Sequence, residues 1–161
     1  MKDIKGLFKS FVYAFKGLSW MISHERNFRI HLAILSIMLY FLLRFDCFVL
    51  TGAEWAILII ISALVLAAEM INTAIEKTND ATVTELNPNV KIAKDVAAGA
   101  VLVFAVSSVL VGFAILWQPD AFRALYGFYT QHPLELALIV AGVALSTIFV
   151  FKFDFNKKEK Q

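Results

Sequence analysis

The chain has one cysteine, Cys47, so no internal disulfide can form, and no Cys/His cluster has the spacing of a metal site. Cys47 itself reads as a small buried apolar residue. Charge is also scarce: 17% of the 161 residues are charged while 60% are hydrophobic, more than the roughly half that a soluble domain carries. This excludes an ordinary water-soluble domain and makes the bilayer the expected solvent. A net charge of +2 is too small to point to nucleic acid, and none is expected as a partner. A cleavable leader is not expected, because Lys2, Lys5, Lys9 and Lys16 interrupt the N-terminal region and no compact apolar core precedes a small-residue cleavage site. Internal repeats and low-complexity segments are absent as well.

What is present is long apolar runs. Four stretches, Ile30 to Val49, Ala53 to Ile75, Val96 to Trp117 and Leu134 to Phe151, approach the roughly 20 residues that a helix needs to cross hydrocarbon. Arg44 and Asp46 interrupt the far end of the first. Helices are expected throughout, because lipid offers no partner to an unpaired backbone amide. With the N-terminus in the cytoplasm, Lys2, Lys5, Lys9, Lys16, Arg26, Arg29, Lys77, Lys91, Lys94, Lys152, Lys157, Lys158 and Lys160 share that side, and Arg44 and Arg123 lie opposite. That bias requires an even number of crossings and puts both termini in the cytoplasm.

Before the first crossing, Ile4, Leu7, Phe8, Phe11, Val12, Phe15, Leu18 and Ile22 fall within roughly 140° of a helical circumference, with Lys5, Lys9 and Lys16 on one flank. Two readings stand: an amphipathic helix in the cytoplasmic interface, or a basic flank that serves topology alone. A polar loop is expected from Glu76 to Asp95, turning at Asn87-Pro88-Asn89. The outer connection, Gln118 to Pro133, carries Trp117, Phe122, Tyr126, Phe128 and Tyr129 at or near it and reads as an aromatic interfacial anchor.

Chemistry concentrates at the cytoplasmic end of the second crossing. Steps of three, four and four link Glu69, Asn72, Glu76 and Asp80, which places them within roughly 80° of one helical face. Ionised Glu69 facing lipid would cost at least about 2.5 kcal/mol, so it faces protein or water. Asn and Glu can hydrogen-bond between membrane helices, yet three carboxylates repel unless a cation or proton neutralises them, and a divalent metal does so economically. Lys91, Lys94 and Asp95 open the third crossing ahead of Ala97-Ala98-Gly99-Ala100. Lys94-Asp95 is either an interfacial ion pair or half of a nucleotide site. In His24-Glu25-Arg26-Asn27-Phe28-Arg29-Ile30-His31, Glu25 either pairs with Arg29 one turn on or reaches the pocket of Glu76. His24 and His31 read as interface or packing residues.

Together these runs resemble the small bacterial membrane lipid kinases of the diacylglycerol kinase and undecaprenol kinase family, over roughly Phe11 to Leu116. The resemblance rests on Glu69, Asn72, Thr73-Ala74-Ile75-Glu76 and Asp80, followed by Ala93-Lys94-Asp95 before a small-residue helix. It implies an all-α membrane protein with an N-terminal interfacial helix and three family-type crossings, over residues 1–117. Residues 118–161 form an extension with a fourth crossing and a basic tail. It implies transfer of the γ-phosphate of ATP, with Mg²⁺, to a membrane lipid alcohol in the bacterial cytoplasmic membrane. Undecaprenol is preferred over diacylglycerol, because Glu25 to His31 and Lys91 to Leu102 look more like the undecaprenol enzymes.

By the same resemblance, Glu69 is the general base and Asn72 positions the reacting groups. Glu25 and Glu76 hold Mg²⁺, and Tyr13, Asp80, Glu85, Asn87, Lys94 and Asp95 complete the nucleotide site. Family members are homotrimers with sites between subunits. Leu86 and Asn87 depart from the aromatic and histidine common after the loop glutamate, and the fourth crossing is an addition. Phosphoryl transfer needs mainly positioning and charge neutralisation, which such residues supply; the family has neither a Walker loop nor a protein-kinase fold, and this chain has neither pattern. A different class, a small cation or proton transporter, would use Glu69 and Glu76 as a relay. It calls for acidic residues deep in several helices, but the third crossing has no charge after Asp95 and the fourth none between Glu135 and Lys152. A catalytically silent membrane subunit would leave the polar stripe without a role.

Overall fold

In a computed structural model, which describes residues 2–82 and 87–152, every regular element is a helix. In chain order these are α1 (Lys2–His24), α2 (Arg26–Arg44), α3 (Gly52–Thr82), α4 (Pro88–Leu116), α5 (Pro119–Gln131) and α6 (Pro133–Lys152). α2, α3, α4 and α6 are long and apolar enough to cross a membrane. The chain is therefore the expected all-α membrane bundle with a fourth spanning helix. α3 packs most extensively on α4, and α2 bridges α3 to α6. Leu102, Val103, Val109, Leu138 and Leu145 stay exposed, as apolar side chains facing lipid should.

α1 is one long amphipathic helix whose Leu7, Phe8, Phe11 and Phe15 are exposed, while Met21 near its end is buried. Glu25 breaks it from α2 by taking an extended conformation, φ −104° and ψ 111°.

Three sequence boundaries shift. The polar loop expected from Glu76 to Asp95 is mostly helix: α3 runs on to Thr82 and α4 begins at Pro88. No Gly or Pro interrupts Glu76 to Thr82, and the hydroxyls of Thr78 and Thr82 donate back to the carbonyls of Ala74 and Thr78, both at 2.8 Å. Asn87 caps α4, its Oδ1 accepting from the Asn89 amide at 2.9 Å, with Pro88 at the first helical position. At 31 residues α3 is about 46 Å long, against about 30 Å of hydrocarbon, so one end projects beyond the apolar layer.

The first crossing ends at Arg44 instead of Val49. The Arg44 guanidinium lies over the rings of Phe45 and Phe128, 5.3 and 5.7 Å from their centroids, and pairs with Glu135 of α6 at 3.5 Å. The segment between the third and fourth crossings is the helix α5, whose Phe128 and Tyr129 rings meet Phe45 at 5.1 and 5.8 Å.

Gln118 staples the α2–α3 and α4–α5 connections together. Its Oε1 accepts from the Val49 amide at 3.0 Å, and its Nε2 donates to the carbonyls of Val49 at 3.1 Å and Ile115 at 3.2 Å. Gln118→Ala removes all three bonds and is expected to destabilise the bundle by about 1 to 2 kcal/mol; chemical unfolding in detergent micelles measures it, and an unchanged midpoint would deny the staple any weight.

Candidate functional site

The polar stripe of α3 forms a gradient of burial. Glu69 is 4% exposed, Asn72 9% and Thr73 4%, whereas Glu76 is half-buried and Asp80 exposed. A carboxylate buried among apolar membrane helices needs a polar partner, and α2 supplies one. His31 Nε2 lies 3.5 Å from Glu69 Oε1. The same pair opens on a cavity of about 330 Å³ lined by Asn27 and Ile30 of α2 and by Ala98, Val101, Leu102 and Ala105 of α4. A second cavity of about 160 Å³ shares His31 and Ala105 and continues between α2, α3 and α4 past Leu58 and Val65 to Gly112. The two make an apolar recess with a carboxylate and an imidazole at one end.

One turn on, Asn72 Nδ2 donates to Glu76 Oε1 at 3.0 Å, while Asn72 Oδ1 is buried without a partner among the described residues. Glu76 thus keeps its second oxygen for another ligand. Asp80 pairs directly with Lys94 of α4. This contact ties the acidic stripe to the basic opening of the third crossing. Asp95, the next residue, is exposed. Lys77 reaches back over the Trp20 ring at 5.3 Å, which holds α1 beside α3.

The remaining sequence-predicted residues stand apart. Glu25 lines a polar cavity of about 420 Å³ with His24, Arg26, Asn27, Arg29, Val150 and Phe151. Asn27 also lines the cavity of Glu69, so the two spaces adjoin. Tyr13 is exposed on α1, and the Asn87 side chain is engaged as the cap of α4. Glu85 lies outside the described residues. Among the described residues no three Asp, Glu, His or Cys side chains converge as a metal cluster. The donor types at Glu25 and Glu76 still suit Mg²⁺, which commonly takes one or two carboxylates and completes its shell with water and phosphate.

Sequence reasoning undervalued His31, read as packing, and missed the placement of Asn27 between two cavities. The available signal was position: Asn27 and His31 lie at the start of the first crossing, within two turns of Glu25.

A sequence model described as prokaryotic diacylglycerol kinase matches residues 12–116. Undecaprenol kinase of Bacillus subtilis is 39% identical over 115 residues, covering 70% of this chain and 89% of that protein. A Synechocystis diacylglycerol kinase is 40% identical over 116 residues, 70% of this chain and 63% of that longer protein. A Helicobacter pylori diacylglycerol kinase is 36% identical over 118 residues, covering 72% and 84%. No solved structure matches the chain significantly.

The Asn72–Glu76 contact yields a stability test. Asn72→Ala removes one partly buried hydrogen bond and should cost about 1 kcal/mol. Asn72→Asp sets a second carboxylate beside Glu76 and should cost more. Equal thermal midpoints for the two variants in micelles would show that Glu76 does not sense residue 72.

Proposed function

The chain belongs to the prokaryotic diacylglycerol kinase family and is a lipid kinase, and from that premise we propose that it transfers the γ-phosphate of ATP to undecaprenol in an Mg²⁺-dependent reaction. The observation that carries this reading is the buried Glu69 carboxylate at the end of an apolar recess. A lipid alcohol enters sideways from the bilayer with its chain along Leu58, Val65 and Val109 and its hydroxyl at Glu69. ATP arrives from the cytoplasmic end, where Asp80, Lys94 and Asp95 gather.

Glu69 takes the hydroxyl proton as the lipid oxygen attacks the γ-phosphorus and the bond to the departing ADP breaks. His31 Nε2 faces the carboxylate at 3.5 Å and holds it toward the recess. Asn72 holds Glu76 in place through Nδ2 and presents its free Oδ1 to the reacting groups. Glu25 and Glu76 would hold Mg²⁺, which when bound neutralises phosphate charge. Tyr13, Glu85 and Asn87 complete the nucleotide contacts in this reading.

Residues 1–117 form the kinase unit and residues 118–161 an extension. In this reading the protein is a homotrimer in which a neighbouring subunit closes the site, since Tyr13 is exposed and Glu25 lines a cavity that holds neither Glu69 nor Glu76. The protein resides in the bacterial cytoplasmic membrane with both termini inside, as the distribution of Lys and Arg favours. The Synechocystis and Helicobacter relatives make diacylglycerol the second acceptor.

Purified protein in micelles with labelled ATP and Mg²⁺ should phosphorylate undecaprenol in preference to diacylglycerol; no transfer to any lipid contradicts the reading, and a preference for diacylglycerol changes the acceptor. Loss of a general base typically removes 10²–10⁴-fold of rate, so Glu69→Gln should lower kcat at least about 100-fold with the KM for ATP little changed. Turnover near wild type would take Glu69 out of the chemistry.

A further inference from the structure

The fourth spanning helix lies beyond the region shared with the family, which ends at residue 116, and the proposed reaction gives it no task. Its cytoplasmic end nevertheless makes a specific contact. Arg29, in the first turn of α2, is 3% exposed. Its Nη1 donates to the carbonyls of Ile22 and Ser23, both at 3.2 Å, and its Nη2 donates to the carbonyl of Val150 at 3.1 Å. The guanidinium also lies 5.9 Å from the centre of the Phe149 ring.

A buried cation at the start of its own helix opposes that helix's dipole. Here the charge is met by carbonyls in the last turns of two other helices, α1 and α6, whose dipole ends favour it. These are groups for which helix termini lack internal partners, so one side chain closes two helix ends while anchoring the start of a third. Between Ser23 and Arg29 lies Glu25, the extended residue that separates α1 from α2, and Val150 and Phe151 form one wall of its cavity. At the opposite end of the α2–α6 contact, the Arg44–Glu135 pair is substantially exposed, where ion pairs contribute little. The tight attachment of α6 is the one beside Glu25.

We infer that Arg29 is a positioning residue through which α6 fixes the α1–α2 joint and thereby the Glu25 carboxylate. The consequence for turnover rests on the reading above that Glu25 serves the metal and nucleotide end of the site; the structural clamp does not. Lysine cannot replace arginine here, because one ammonium cannot span three carbonyls on two helices in the way a planar fork does.

The test uses full-length protein in micelles and two readouts, amide hydrogen exchange over residues 22–27 and the Mg²⁺ and ATP dependence of lipid phosphorylation. R29K should accelerate exchange at the joint about tenfold, the effect of losing one or two net hydrogen bonds. It should also raise the half-saturating Mg²⁺ concentration severalfold with kcat close to wild type. F149A, which leaves every Arg29 hydrogen bond possible but removes the ring beneath it, should change both in the same direction by less, and it carries the test should R29K fail to fold. E135Q, which loosens the outer end of α6, should leave the joint as in wild type. Wild-type exchange over residues 22–27 in R29K, or in F149A where R29K does not fold, would overturn the clamp. Equal acceleration in E135Q would overturn the assignment to Arg29. If wild-type protein phosphorylates no lipid, the exchange readout still decides the clamp, so the two failures are told apart. Faster exchange in R29K with an unchanged Mg²⁺ requirement would overturn the link to Glu25.

Discussion

A carboxylate cannot sit at membrane depth without a polar neighbour, and the arrangement of this protein around Glu69 follows from that constraint. Glu69 is on the longest helix, within the stretch where α3 is covered by α2 and α4. α2 contributes His31 at 3.5 Å, and α4 contributes a run of small residues that leaves room beside the charge. From Glu69 the stripe climbs through Asn72 and Glu76 to Asp80, losing burial at each turn, until Asp80 meets Lys94. The proposed reaction uses that gradient by setting the lipid hydroxyl at its buried end and the nucleotide phosphate at its exposed end.

The helix ends around Glu25, Glu76 and Lys94 carry one group of specific polar contacts. The Asn72–Glu76 bond, the Asp80–Lys94 pair, the Lys77–Trp20 contact and the three bonds of Arg29 lie at or near them. The membrane-facing lengths of α4 and α6 are apolar and largely exposed. Such surfaces suit lipid or a second copy of the chain. The opposite helix ends are held by aromatic contacts among Phe45, Phe128 and Tyr129 together with the hydrogen bonds of Gln118.

Much of this was legible in the sequence, for identifiable reasons. Apolar length located four spanning helices, and the three-four-four spacing put Glu69, Asn72, Glu76 and Asp80 on one face, because both signals are local and periodic. The ends of elements were less legible. Glu76 to Asp95 reads as polar loop by composition, yet polar residues continue a helix as it leaves the membrane, and only Asn87-Pro88 marks the restart of α4. Contacts between distant residues were not legible at all. Nothing in the order of residues says that Arg29 meets a carbonyl 121 positions away, or that Gln118 bonds to Val49, because a backbone carbonyl leaves no trace in sequence.

In the proposed reaction a lipid alcohol reaches Glu69 through the recess between α2 and α4. The most direct measurement is photo-crosslinking with an undecaprenol analogue that carries a diazirine near its hydroxyl, followed by mapping of the adducts by mass spectrometry. The account predicts adducts on Ile30, His31, Ala98 and Leu102 that excess undecaprenol suppresses. Adducts confined to α6 or to the outer connections, with the recess unlabelled, would contradict it.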